Sequence, residues 1–248
     1  RRRTGAHRRS DAVAHLLSRV KRATGRTLAG MADLRIRDLV DALDTAYPPR
    51  LAAEWDAVGL TCGDPDDTVE RVLFAVDPVM SVVDEAIETG AQIIVTHHPL
   101  FLRGVHSVAA TDAKGRLVHR LVSNGIALFS AHTNADHANP GVSDALAGAL
   151  GLVMLRPLAP QEGEAADVGT GRMCELVEPV TLEQFAEQVA ASLPATRHGV
   201  RVAGDPQRTI RTVAVCGGAG DAFLREAAGA DAYVTSDLRH HRAQDHLA

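Results

Sequence analysis

The sequence predicts an α/β protein made of two similar halves, strand–helix–strand units with mixed sheets and helices on the outside. Three observations carry this. Short runs rich in Val, Ile and Ala alternate with helix-period segments of about ten residues. Residues 73–96 align without a gap onto residues 212–235, with identities at Ala75/Ala214, Val76/Val215, Gly90/Gly229, Ala91/Ala230, Val95/Val234 and Thr96/Thr235. Apolar residues make up 46% of the chain but aromatics only 3%, so the core must be aliphatic. Any two strand–helix–strand units share a pattern, and the identities are what favour a repeat over coincidence.

Taken in order, Leu34, Leu39, Val40, Leu43 and Ala46 fall near helical spacing and predict a helix over 34–47, ended by Pro48 and Pro49. Residues 72–76 predict a buried strand, 79–89 a helix stopped by Gly90, and 91–96 a second buried strand. A helix over 114–123 closes at Asn124 and Gly125. A third strand covers 126–131, and Pro140 opens a helix over 141–150. In the second block the pattern predicts a helix at 181–193, strands at 198–203 and 211–216, a helix at 220–229 and a strand at 231–235. The expected organisation is a leader at 1–30, a first half at 31–155, a linker rich in Pro, Gly and Glu at 156–172, and a second half at 173–248.

Charge is unevenly placed. Residues 1–30 hold nine Arg or Lys and one acid, whereas the rest holds 17 basic and 30 acidic residues, a net of −13. The basic arm reads as a disordered leader by composition. The acidic body argues against nucleic acid, which needs clustered positive charge. No apolar run is long enough to span a membrane. Cys62, Cys174 and Cys216 form no C-x-x-C pair or disulfide framework, so they read as small buried hydrophobes in a cytoplasmic protein.

Candidate chemistry sits at strand ends. His97 and His98 follow the strand AQIIVT directly, and in such sheets ligands bind beyond the strand carboxyl ends. Adjacent side chains point in different directions, so one could serve each of two metals, and Pro99 stiffens their turn. A bare His-His pair is also what two exposed loop histidines look like. The next strand ends in His132-Thr133-Asn134-Ala135-Asp136. Parallel strand ends cluster, and a carboxylate such as Asp136 bridges two divalent ions about 3.5–4 Å apart; its plainer role is to cap the loop before the next helix. His132 is a ligand, or a group orienting one, and the candidate proton shuttle. Glu54–Leu60 holds the only Trp and reads on its own as a structural loop packed under it. Gly217, Gly218 and Gly220 lie between a strand and a helix, a turn that cradles phosphate or is simply tight; it lacks the Lys of a P-loop.

Together, Glu54–Leu60 (W-D-x-V-G-L), Thr96–Phe101 (H-H-P), Ala131–Asp136 (H-T-N-x-D), Cys216–Asp221 and Tyr233–His241 resemble, in order, the GTP cyclohydrolase I type 2 homologue family, also called NIF-three-like. The resemblance runs from about residue 34 to the end. It implies two α/β halves with a metal cleft between them, toroidal homo-oligomers that are usually hexamers, and two divalent ions. His97, His98 and Asp136 match family metal ligands, and His132 matches a histidine lining the site. Mixed His and carboxylate ligands suit Zn, Fe, Mn or Ni alike. The family's late G-H-x-x-T/S-E segment has no counterpart here, and His240, His241 and His246 do not match it. The expectation is therefore a C-terminal truncation that leaves activity in doubt, with a short linker where longer members carry an inserted domain. The implied function is metal-dependent hydrolysis of a purine nucleotide such as GTP, or of a phosphoester. The alternative is a non-catalytic, ring-forming metal-binding or interaction protein.

Overall fold

A computed structural model describes residues 34–247. The basic leader expected at 1–30 lies outside the described residues. The chain divides into two compact units, the first ending at Ala135 and the second beginning at Asp136.

In the first unit, α1 (Ile36–Ala46) precedes β1 (Gly59–Cys62) and β2 (Val72–Ala75). Next come α2 (Met80–Thr89), β3 (Ile93–Thr96), α3 (Ala113–Ser123), β4 (Ala127–Ser130) and the short α4 (Thr133–His137). The sheet order is β1-β4-β3-β2; β2, β3 and β4 run parallel and β1 is antiparallel to β4. Every residue of β3 and β4 is buried, as expected of parallel strands covered on both faces. Helices α2 and α3 supply Val83, Ala86, Leu117 and Leu121 to the core over Ile94 and Leu128. Gly90 ends α2 at φ 67°, where its N–H returns to the Ala86 and Ile87 carbonyls. Asp112 opens α3 by accepting the Gly115 N–H at 2.8 Å.

The second unit holds α5 (Val142–Ala149), β5 (Val153–Pro160), β6 (Gly169–Thr181), α6 (Leu182–Ser192), β7 (Thr209–Val215), α7 (Leu224–Ala227), β8 (Ala232–Val234) and α8 (His240–Leu247). Its sheet order is β5-β6-β7-β8, with only β7 and β8 parallel. Arg172 on β6 is buried and uses its whole guanidinium. It grips Asp144 through Nε at 2.7 Å and Nη2 at 2.5 Å, and donates to the carbonyls of Ala138, Gly169 and Gly171 at 2.7 Å each.

Four expectations are corrected. Residues 156–172 are not a linker: most of them belong to the antiparallel pair β5–β6, in which Pro157 pairs with Arg172 and Pro160 with Gly169. The prolines are tolerated because β5 is an edge strand, and Gly171 (φ 62°) stands where a Cβ would lie 2.8 Å from the Val215 carbonyl. The division between halves falls at 135/136 and not at 155. Residues 198–203 are no strand: Val200 and Val202 are exposed, and the segment pairs with none of the strands of the sheet. The helix expected at 220–229 shortens to a 3-10 turn, Asp221–Phe223, followed by α7.

The repeat is present with a slip. Leu73 pairs with Ile94 in the first unit, and Ala214 with Tyr233 in the second. The ungapped alignment would put Thr212 opposite Tyr233, so β7 is displaced by two residues, which keeps each side chain on its face. Gln92 and Asp231, equivalent in the alignment, do the same job in each unit. Gln92 Oε1 accepts the N–H groups of Glu70 and Arg71, both at 2.9 Å. Asp231 accepts those of Arg211 and Thr212 at 3.0 and 2.9 Å.

Candidate functional site

Strand register builds the site in the first unit. Ala75 pairs with Thr96, and Thr96 with Ser130. Two residues beyond these three lie Asp77, His98 and His132, delivered side by side by three parallel strands. The ladder runs on past the strand ends, with His97 N–H donating to Ala75 at 3.2 Å and His98 N–H to Val76 at 2.9 Å. From the antiparallel side, Gly59 pairs with Ser130, so the chain entering β1 brings Asp56 to His132.

The three imidazoles of His97, His98 and His132 form a group whose ligand atoms all lie within 4.8 Å of one another. Ring centroids are 5.1 Å apart for His97–His98 and His97–His132, and 5.6 Å for His98–His132. Each ring is held from behind through Nδ1. His97 Nδ1 is 3.0 Å from the Ala131 carbonyl, His98 Nδ1 is 2.7 Å from Asp77, and His132 Nδ1 is 2.9 Å from Asp56. A carbonyl or an ionised carboxylate can only accept, so Nδ1 carries the proton and Nε2 the lone pair that coordinates. Oxygen partners behind ligating histidines fix the tautomer and raise ligand basicity. The donor set therefore fits a metal ion of the nitrogen-preferring kind.

Asp56 is the most constrained acid here. Its side chain is fully buried. Burial pushes its carboxyl up, but hydrogen bonds from the Thr133 hydroxyl, His132 and the N–H groups of Thr133 and Ala57 together hold it below the usual carboxylate range. It stays ionised behind His132 and orders the first turn of α4.

Asp136 lies in α4, four residues after His132 and half-buried. It belongs to the second unit and is not among the three grouped imidazoles. His240 and His241 meet edge-to-face, centroids 5.3 Å apart, and take no part in that group. An open cleft of about 530 Å³ starts at His98 and Asp77 and continues past Pro99 and Leu100 to Lys114 and Arg116.

The Gly-rich turn is mainly structural. Gly217 N–H donates to Ser143 and Gly220 N–H to Thr235, while the Gly218 carbonyl accepts from Thr235, Ser236 and Asp237. A Cβ on Gly220 would lie 2.2 Å from the Tyr233 hydroxyl. These N–H groups are engaged within the protein, which leaves a poor cradle for phosphate. The three cysteines are free, and burial raises the Cys174 and Cys216 thiols to about 11, so they are inert hydrophobes. Cys62 is only half-buried.

Sequence reasoning missed Asp56 and Asp77 as supports. Trp55 does not cover its loop either: it is 61% exposed and meets His132 edge-on at 5.9 Å. The signal available was position, since Asp56 stands in the W-D-x-V-G-L segment and Asp77 follows a strand that neighbours the His-His strand.

Fold and site define an α/β protein whose histidine cluster, at the carboxyl ends of parallel strands, can hold a metal ion. Comparison with known proteins narrows this. The profile of Duf34/NIF3 (NGG1p interacting factor 3) matches residues 34–248, and the chain belongs to that family. A Streptomyces coelicolor protein named GTP cyclohydrolase 1 type 2 homolog is 56% identical over 210 residues, covering 84% of this chain and 74% of the relative. A Bacillus cereus protein related to NIF3 superposes with a TM-score of 0.77 at 28% identity, over 86% of this chain and 85% of the other. A Staphylococcus aureus hypothetical protein gives 0.76 at 32% identity, over 86% and 82%. Among the described residues no helix is long and apolar enough to cross a membrane.

Proposed function

We propose that this chain is a metal-dependent hydrolase of the kind its relatives' name suggests, acting on a purine nucleotide or a phosphoester. Two divalent ions would be held by His97, His98, His132 and Asp136. The observation that carries this reading is the group of three imidazoles within 4.8 Å, each with Nδ1 on an oxygen. Asp136, one helical turn after His132, would add a carboxylate to the three imidazoles. When bound, such ions supply Lewis acidity and acidify water. Asp56 keeps the His132 ring oriented and its Nδ1 protonated, so that Nε2 either coordinates or takes up a proton. Lys114 and Arg116 line the cleft that begins at His98 and offer positive charge to an anionic substrate. The reading also places the protein in a reducing cytoplasm, in keeping with its three free cysteines.

The test is metal content per chain by elemental analysis, for the parent and for His97→Ala, His98→Ala, His132→Ala and Asp136→Ala, followed by hydrolysis of GTP and simple phosphoesters. About two equivalents in the parent, lost in the variants, is the expected result. His132→Ala that keeps metal but loses turnover assigns His132 to proton transfer. No metal in the parent overturns the proposal.

A second reading is favoured by one observation. Val153, Met154 and Leu155 on edge strand β5, with Val177 on β6, are exposed apolar residues. An uncovered edge of this kind suits association between copies, as in a non-catalytic metal-binding hexamer. Light scattering of the parent and a Met154→Lys variant tests it: a ring that dissociates in the variant supports it.

A further inference from the structure

We propose that Trp55 is the specificity-determining platform of the site, the surface on which a planar heteroaromatic ring of the ligand, of purine kind, stacks beside the histidine cluster. The inference rests on the hydrolase reading and names the part of the substrate that the indole recognises.

Trp55 is the only tryptophan in the chain and is 61% exposed. An indole is among the largest apolar surfaces a protein can bury, and leaving one in water forgoes that stabilisation. Neither a loose loop nor a chain end accounts for its exposure, because the backbone on both sides is pinned. Ala53 N–H donates to the Thr133 hydroxyl at 2.9 Å, Asp56 N–H to the Ala53 carbonyl at 2.9 Å, and Ala57 N–H to Asp56 at 2.8 Å. Asp56, the next residue, has a fully buried side chain bound to His132 and Thr133. The same short segment thus sends one side chain inward to hold a cluster histidine and the next outward into solvent. Alternation of this kind fixes the indole relative to the cluster.

The partner is indicated by position. Among the described residues, His132 is the ring that Trp55 meets, with centroids 5.9 Å apart and planes at 77°. The contact is perpendicular, so the indole has no stacked partner there. A flat ligand reaching the imidazole group from this side passes over a pre-positioned π-surface one ring away. Tryptophan stacking on a base is tolerant of hydrogen-bond pattern but requires a flat π-system. It discriminates ring-bearing ligands from bare phosphoesters.

A single tryptophan makes the test direct, since all tryptophan emission comes from Trp55. Metal-loaded full-length protein would be titrated with GTP and, separately, with tripolyphosphate, following emission and measuring affinity calorimetrically. Saturable quenching by GTP but not by tripolyphosphate is expected. Trp55→Ala should weaken GTP binding about 5- to 150-fold, and Trp55→Phe should weaken it less. Metal content should stay at the parent value in both variants. GTP binding that is unchanged in Trp55→Ala, or quenched equally by tripolyphosphate, overturns the inference while leaving the metal reading intact. A blue-shifted emission inaccessible to acrylamide in ligand-free protein also overturns it, since a second copy would then cover the indole. Loss of metal from the parent is the separate failure, that of the hydrolase reading.

Discussion

The two units use one motif for different ends. Both run a strand, a helix and a parallel strand, and both clamp the backbone just before the parallel-paired stretch of the first strand with the side chain that precedes the second, Gln92 in one and Asp231 in the other. They part at the strand exits. In the first unit the exits present Asp77, His97 and His98, with Nδ1 of His98 held by Asp77. In the second, the exits close on themselves, as Thr235, Ser236 and Asp237 donate to the carbonyl of Gly218. A strand–helix–strand frame is thus neutral toward function. The residues placed one or two positions beyond the last paired strand residue decide whether an exit becomes a site or a turn.

The largest way to break the comparison is Arg172→Met, which should unfold the second unit's junction. It strands the buried Asp144 carboxylate and releases the Ala138, Gly169 and Gly171 carbonyls. Removing one partner of a buried pair costs about 3–5 kcal/mol, readable as a shift in urea midpoint. A midpoint within error of the parent would show that the pair contributes nothing net.

Next in size are the two acids behind the histidines. Asp56→Ala should weaken metal binding about 10- to 100-fold, the usual effect of deleting an oxygen partner behind a ligating histidine. Asp77→Ala should cost less, because its side chain is 58% exposed and water replaces it, whereas that of Asp56 is fully buried. Competition with a chromophoric chelator ranks the two, and the reverse order would mean that burial is not what makes the support effective.

The smallest effect separates the clamps by charge. The Thr212 N–H, with the Arg211 N–H and the Thr212 hydroxyl, outweighs partial burial and holds the Asp231 carboxyl below its usual value. A depressed folded value means the stabilisation is full above the unfolded pKa of about 3.9 and disappears as pH falls through the folded one. Asp231→Asn should therefore lower the melting temperature at pH 7, where the ionised clamp contributes in full, and flatten the acid limb of the pH–stability profile, the difference from the parent shrinking below about pH 4. The neutral Gln92 clamp gives the first unit no such term, so Gln92→Glu should steepen that limb.

Much of this was legible in the sequence. The strands at 72–76, 91–96 and 126–131, the helices between them and the stop at Gly90 follow from period and punctuation, which are local; the burial expected of 72–76 does not hold, because β2 is an edge strand with Phe74 and Val76 exposed. So are the H-H-P and H-T-N-x-D motifs, and with them His97, His98 and His132. The paired strands hidden in 156–172 were not legible, because Pro157, Gly169 and Gly171 look like breakers until an edge position and a close backbone approach explain them. Nor was the two-residue slip of β7, since a shift of two leaves the pattern of faces unchanged.

The sequence by itself determined which elements form and which donor types stand at their exits, because periodicity and motif order are properties of adjacent residues. Only the tertiary structure decided that Asp56 and Asp77 back the imidazoles, that Arg172 ties Ala138 to Asp144, and that Trp55 faces solvent. Those relations join residues 21 to 76 positions apart, and strand register, which sets who stands beside whom, is fixed by the packed sheet rather than by any local run of the chain.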